Sequence, residues 1–170
     1  MSREGALLLM LGLAVVLIGL MGYGWWRRTR RDRGLVAPFG NAPATARLLA
    51  TFPGLYVATT ARGTALERLA VRGLRYRAKA NLVVTDAGLV LDLVAQEPIF
   101  LAASRIDDAQ QATVTIDRVV ERDGLLRIGW RLDDGTAVDS YFRPQDASAR
   151  AAAAAIEPLL PSTTPTGTDA

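Results

Sequence analysis

The chain is 170 residues long, room for one domain of roughly 100–150 residues and an anchor. It has no cysteine and no histidine, which excludes disulfides, thiolate nucleophiles, imidazole bases and the usual zinc or haem ligands. Its net charge of +3 is unevenly spread, because residues 1–33 hold six arginines against Glu4 and Asp32 and leave 14 basic and 15 acidic side chains beyond. That remainder has no basic excess to neutralise phosphates, so no nucleic-acid partner is expected. Twenty-eight alanines, and nineteen arginines against the single Lys79, point to a GC-rich bacterial genome.

After a short tail at residues 1–4, residues 5–26 run for 22 positions without a charged side chain. A helix of that length spans about 33 Å, enough for a hydrocarbon core of about 30 Å. A lone apolar span must satisfy its backbone hydrogen bonds internally, which predicts a transmembrane α-helix. Tyr23, Trp25 and Trp26 close it with amphipathic rings suited to the membrane interface. Arg27, Arg28, Arg30, Arg31 and Arg33 follow, and the positive-inside rule keeps such a cluster cytoplasmic. The expectation is a signal anchor: a single-pass protein of the cell membrane, N-terminus outside, C-terminal domain in the cytoplasm. A cleaved signal peptide fits poorly, since the apolar run is too long and no Ala-x-Ala site follows it. Gly5, Gly12 and Gly19 recur every seven residues and mark a face that another membrane helix can approach. The plainer account is that glycine is common in membrane helices. The arginines likewise serve either as a topology signal alone or also as contacts to anionic lipid.

Residues 27–53 read as an arginine-rich juxtamembrane segment and linker, punctuated by Gly34, Pro38, Gly40, Asn41, Pro43 and Pro53. A short helix is expected around residues 44–50. Farther on, Leu126, Ile128, Trp130 and Leu132 alternate with Arg127, Gly129 and Arg131, the period of a half-buried strand. Residues 82–84, 89–94, 113–120 and 137–142 show a similar pattern. Asp86-Ala87-Gly88, Asp123-Gly124 and Asp134-Gly135 supply tight turns between such runs, so a meander of short antiparallel strands is expected. From Arg143-Pro144-Gln145-Asp146 to Glu157-Pro158 the pattern becomes helical, with Ala149, Ala152, Ala153 and Ile156 on one face. Residues 161–170, rich in Pro, Thr and Gly, read as a disordered tail.

About seven short antiparallel strands followed by one helix resembles the order of a pleckstrin-homology-like (PH-like) domain. Ala80-Asn81-Leu82-Val83-Val84-Thr85-Asp86-Ala87-Gly88-Leu89-Val90-Leu91 is a strand-turn-strand of the kind bacterial PH-like domains carry. Trp130-Arg131-Leu132-Asp133-Asp134-Gly135-Thr136 is similar to a last hairpin leading into the helix. The resemblance covers residues 54–160, and the whole looks like small bacterial single-pass membrane proteins with a cytoplasmic PH-like domain. It implies an N-terminal transmembrane helix plus a β-rich barrel of about seven strands closed by a C-terminal helix. It also implies membrane association, with no catalytic residues and no cofactor to carry over.

Few constellations suggest chemistry. Asp107-Asp108 and Asp133-Asp134 are adjacent acids, but neighbours on a strand point to opposite faces, and turns favour aspartate for backbone reasons. Neither pair is expected to hold a metal. No nucleophile elbow, phosphate loop or dinucleotide glycine pattern occurs. Ser104 and Ser140 have no histidine to activate them, and a Ser-Lys arrangement would need Lys79 beside one of them. The densest basic run is Arg62, Arg68, Arg72, Arg75, Arg77 and Lys79, opposed there only by Glu67. Within it Arg72, Arg75, Arg77 and Lys79 are the candidate ligand-binding residues. Arg75, Arg77 and Lys79 alternate, so a strand would present them on one face to an acidic head group or phosphorylated partner. The PH-like resemblance also places acidic ligands near the first hairpin. A solvated face balanced by Asp92 and Glu97 is the competing account. The leading functional reading is a non-enzymatic binding or scaffold module at the cytoplasmic membrane face. The second is an accessory subunit of a membrane complex or transporter, assembled through the glycine face. The expected partners are the bilayer and a membrane protein.

Overall fold

The computed structural model describes residues 3–31, 34–65, 67–112 and 124–161. They fall into two units, Met1–Gly34 and Leu35–Ala170.

The first unit is the helix α1, Arg3–Arg31, which runs past Trp26 through the basic cluster. Arginine is a good helix former, and cations complement the negative end of the helix dipole. Within α1, Leu7–Arg27 has a mean hydropathy of 2.3 and no buried residue. An apolar helix without protein cover requires an apolar solvent, so α1 is a candidate membrane anchor. Near its C-terminal end the Tyr23 and Trp26 rings lie 6.1 Å apart, and the Arg30 guanidinium sits 4.4 Å above the Trp26 ring. Both pairs follow the helical spacing of three and four residues. A Cβ added at Gly12 or Gly19 would meet nothing within 4 Å.

The second unit is a seven-stranded antiparallel sheet with one helix. Its strands are β1 (Leu48–Ala61), β2 (Ala78–Thr85), β3 (Gly88–Leu93), β4 (Ile99–Ala102), β5 (Ile106–Ala112), β6 (Leu125–Arg131) and β7 (Ala137–Pro144). The order across the sheet is β4-β3-β2-β1-β7-β6-β5. The long strand β1 belongs to both halves, pairing with β2 from Leu48 to Tyr56 and with β7 from Gly54 to Ala61. A register shift between Tyr56 and Ala58 marks the crossing and lets the sheet curl around one core.

The sheet is not closed, which corrects the expectation of a closed barrel. Consecutive strands β4 and β5 are its two edges and are joined only by the 3-10 turn Ala103–Arg105. The β4 edge is satisfied by the segment that opens the domain instead. Phe100 N–H donates to Pro38 O at 2.9 Å, and Gly40 N–H to Pro98 O at 2.9 Å. Residues 35–47, read from sequence as linker, are thus part of the domain. The expected helix at residues 44–50 is absent. Ala46 N–H closes a turn on Pro43 O, and β1 begins at Leu48, because Ala50, Phe52 and Tyr56 supply a strand-period face to the core. The run from Arg143 also needs correction: Arg143 and Pro144 complete β7, and the helix α2 is only Ala149–Ile156. Ser148 caps it, its Oγ accepting from Ala151 N–H at 3.1 Å. Ala149, Ala152 and Ile156 are buried, and α2 packs chiefly over β5 and β6. The expected strand at 113–120, the Asp123 turn and most of the C-terminal tail lie outside the described residues.

Leu126, Ile128 and Trp130 of β6 point inward as their alternation requires. Gly88 at the β2–β3 turn has φ +149, and a Cβ there would lie 2.9 Å from Ala102 Cα. Inside the core a line of polar groups is paired end to end. Trp130 Nε1–H donates to Ser140 Oγ at 2.9 Å, Ser140 and Thr59 share a bond of 2.7 Å, and Thr59 and Tyr56 share one of 2.9 Å. Tyr56 O–H then donates to Leu74 O at 2.9 Å. Burial of this phenol pushes its pKa well above the ordinary tyrosine value. Ser140→Ala orphans the indole N–H, with an expected cost of about 1–3 kcal/mol in urea unfolding of the full chain in micelles. In a Trp130→Phe background the same change should cost distinctly less, because no indole N–H remains to be orphaned.

Candidate ligand-binding surface

The connection from β1 to β2 is sixteen residues rather than a tight hairpin, and it carries all but one of the six cations picked out above. It is held as a strap. Ala61 N–H donates to Glu67 O, Leu69 N–H donates to Thr59 O, and Leu69, Val71 and Leu74 turn into the core. The cations alternate with these apolar residues and separate into different roles.

Arg62 is drawn away from the run. Its Nη1 donates to Asp107 Oδ2 at 2.7 Å, and its Nε lies 3.3 Å from Asp139 Oδ1, too poorly aligned for a hydrogen bond. Asp139 is only 2% exposed, accepts from Gly63 N–H at 3.3 Å and faces Arg127 Nη1 at 3.5 Å. Arg127 Nη2 donates to Asp108 Oδ1 at 2.8 Å, and Arg131 Nε to Asp107 at 3.2 Å. Three arginines and three aspartates therefore form one neutral network over β5, β6 and β7. Gly129 makes room for it, since a Cβ there would stand 2.7 Å from both Arg62 Nη2 and Asp108 Oδ2. Partial burial raises the Asp107 pKa, but the Arg62 and Arg131 guanidinium groups outweigh it and hold the carboxyl below the usual range.

The acidic pairs thus have structural partners. Asp133 pairs with Arg105, and Asp134 accepts from Thr136 N–H at 2.9 Å, which holds its carboxyl below the usual range. Ser140 is 6% exposed and engaged with Thr59 and Trp130. Among the described residues no three acidic side chains gather as a metal cradle. An apolar cavity of about 10 Å³ beside Tyr56, Leu74 and Phe142 has room for a single water and not for a ligand.

Arg68 lies against the strap itself, its Nη2 donating to Arg75 O at 2.9 Å. Arg72, Arg75, Arg77 and Lys79 are all exposed, with no acid among residues 72–79. Arg75 and Arg77 are not strand residues, because β2 begins only at Ala78. The expected one-face alternation is replaced by a bend at Arg75 and Tyr76. Tyr76 is 76% exposed, and Val94, whose N–H donates to Lys79 O at 3.1 Å, is 67% exposed. Sequence reasoning passed over both residues. The available signal was an aromatic set between two arginines on a segment otherwise sending its apolar residues inward.

The family described as bacterial PH domain-like matches residues 36–157. The chain belongs to that family. Its PH-like domain starts with the segment that covers β4, consistent with Leu35 opening the second unit. Comparison with curated proteins yields no match. Among solved structures it is similar to the C-terminal domain of an unknown protein from Leishmania infantum, at 12% identity and a TM-score of 0.43. That alignment covers 81% of this chain and 96% of the other.

Asp139→Asn in the PH-like domain leaves two guanidinium groups facing a neutral buried amide, while each keeps a second aspartate, and is expected to cost about 1–3 kcal/mol in urea unfolding. Asp107 gives a pH signature. Its carboxyl is lowered in the folded state, so its contribution is full above the ordinary value of 3.8 and is lost as pH falls through the lower folded value. Asp107→Asn should flatten the acid limb of the melting profile and lower stability near pH 7 by about 1–2 kcal/mol.

Proposed function

We propose that the protein is a single-pass, membrane-anchored, non-enzymatic binding module whose PH-like domain works at the cytoplasmic face and takes an acidic ligand. The observation that carries this reading is a 29-residue helix whose apolar span has no protein cover, followed directly by a PH-like domain. The basic end of α1, with Arg30 over Trp26, favours the cytoplasmic side under the positive-inside rule. Asp107, Asp108, Asp133, Asp134, Asp139 and Ser140 are engaged in ion pairs, turns and core hydrogen bonds, which supports binding over catalysis. Arg72, Arg75, Arg77 and Lys79 form the face suited to an acidic ligand.

The absence of native cysteine makes orientation directly measurable. With Asp146→Cys, an impermeant maleimide should leave intact cells unlabelled and react only after lysis. With Ser2→Cys the same reagent should label intact cells. Labelling of position 146 in intact cells would reverse the orientation and place the domain outside.

A further inference from the structure

The segment that opens the PH-like domain is held between two parts of it by isolated bridges rather than by a ladder. On one side Val36 bridges Arg72 of the β1–β2 connection in parallel. Ala37 N–H donates to Arg72 O at 3.0 Å, and Arg72 N–H to Leu35 O at 2.8 Å. On the other side Phe39 bridges Ile99 of β4 antiparallel, through the bonds from Phe100 to Pro38 and from Gly40 to Pro98. Ala37 is buried, but Val36 and Phe39 are 36% and 39% exposed. The Phe39 ring lies on Gly73, where a Cβ would stand 2.7 Å from it, and Ile99, 1% exposed, reaches the same spot. Four backbone bonds and one ring thus cover the β4 edge and fasten the connection that carries Arg72.

We propose that residues 35–40 are a latch, through which the position of α1 in the bilayer sets whether the β4 edge is covered and the β1–β2 connection is fastened. The inference rests on reading α1 as a membrane anchor, and it gives that anchor a second task. Arg31 ends α1 and Leu35 opens the domain, and four peptide links extend no farther than about 15 Å. A shift of α1 along or across the bilayer is therefore felt first at Leu35. Load at that end breaks the bonds in turn, from those on Arg72 to those on Pro98 and Phe100. A segment held by few bonds at a sheet edge opens at lower cost than the whole domain. Opening leaves Pro98 O and Phe100 N–H unpaired and uncovers Ile99. It also releases Arg72 from Leu35 and Ala37, so the edge and the connection change state together.

The test uses the full-length chain, which has no native thiol, in phosphatidylcholine nanodiscs whose two faces both meet water. Single cysteines come from Ile99→Cys, Leu126→Cys and Val15→Cys. Ile99 lies under the latch, whereas Leu126, 0% exposed on β6, is remote from it in the sheet order and reports opening of the core. A water-soluble thiol reagent should modify position 99 about tenfold faster than position 126. Phe39→Ala should speed position 99 by about tenfold and change position 126 by less than about twofold. Exchange of the Phe100 amide in the cysteine-free chain is a second readout and should follow position 99, since that N–H is donated to Pro38 O. Lengthening the acyl chains from about 14 to about 22 carbons draws α1 inward and should speed position 99 by about fivefold. A flexible Gly-Ser insert between Gly34 and Leu35 should abolish that dependence. Equal rates at 99 and 126, or an equal response of both to Phe39→Ala, would show that the segment opens only with the core and would overturn the latch. A thickness dependence that is absent, or that survives the insert, would overturn the coupling to α1. Rapid modification at position 15 would instead refute the anchor and take the coupling with it, a result independent of the comparison between 99 and 126.

Discussion

The PH-like domain depends on a short line of buried hydrogen bonds from Trp130 through Ser140 and Thr59 to Tyr56, ending on the carbonyl of Leu74. A large indole and a phenol fill the core, and each brings a donor that is costly to bury alone. Because the hydroxyls sit on β1 and β7, satisfying those donors also locks three strands together. The last bond in the line reaches the connection between β1 and β2. It holds Leu74 inward and thereby sends Arg72, Arg75, Tyr76 and Arg77 outward.

The same connection separates one basic run into two electrostatic fates. Arg62, at the end of β1, meets carboxylates from β5 and β7, and the resulting network of three arginines and three aspartates is neutral. Ten residues later, the cations from 72 to 79 have no acid among them in the chain. Charge that closes the fold is confined to one region of the sheet.

The candidate anchor α1 answers to a different constraint. A soluble helix hides an apolar stripe against protein, whereas the apolar part of α1 is exposed all round. A hydrocarbon environment would remove that surface from water, and a helix is the form in which a single segment satisfies its backbone there. The family match covers residues 36–157 and so leaves the helix outside it.

Features governed by local chemistry were legible from the chain alone. The apolar run, the alternation of Leu126, Ile128 and Trp130, the glycine turns at Gly88 and Gly135, and the inward face of α2 depend on neighbours within a few residues. What only the tertiary structure decided involves partners far apart in sequence. Residues 44–50 carry short-range helical character, yet Leu48, Leu49 and Ala50 join β1, because pairing with β2 satisfies a whole strand. The barrel is not closed at β4, whose edge is bonded instead by residues 38–40, more than 50 residues away. Arg62 finds Asp107 at a separation of 45 residues, and Thr59 finds Ser140 at 81. Period and composition are properties of a segment and can be read along it. Which charge meets which, and which edge is covered, are set only when distant segments share the same space.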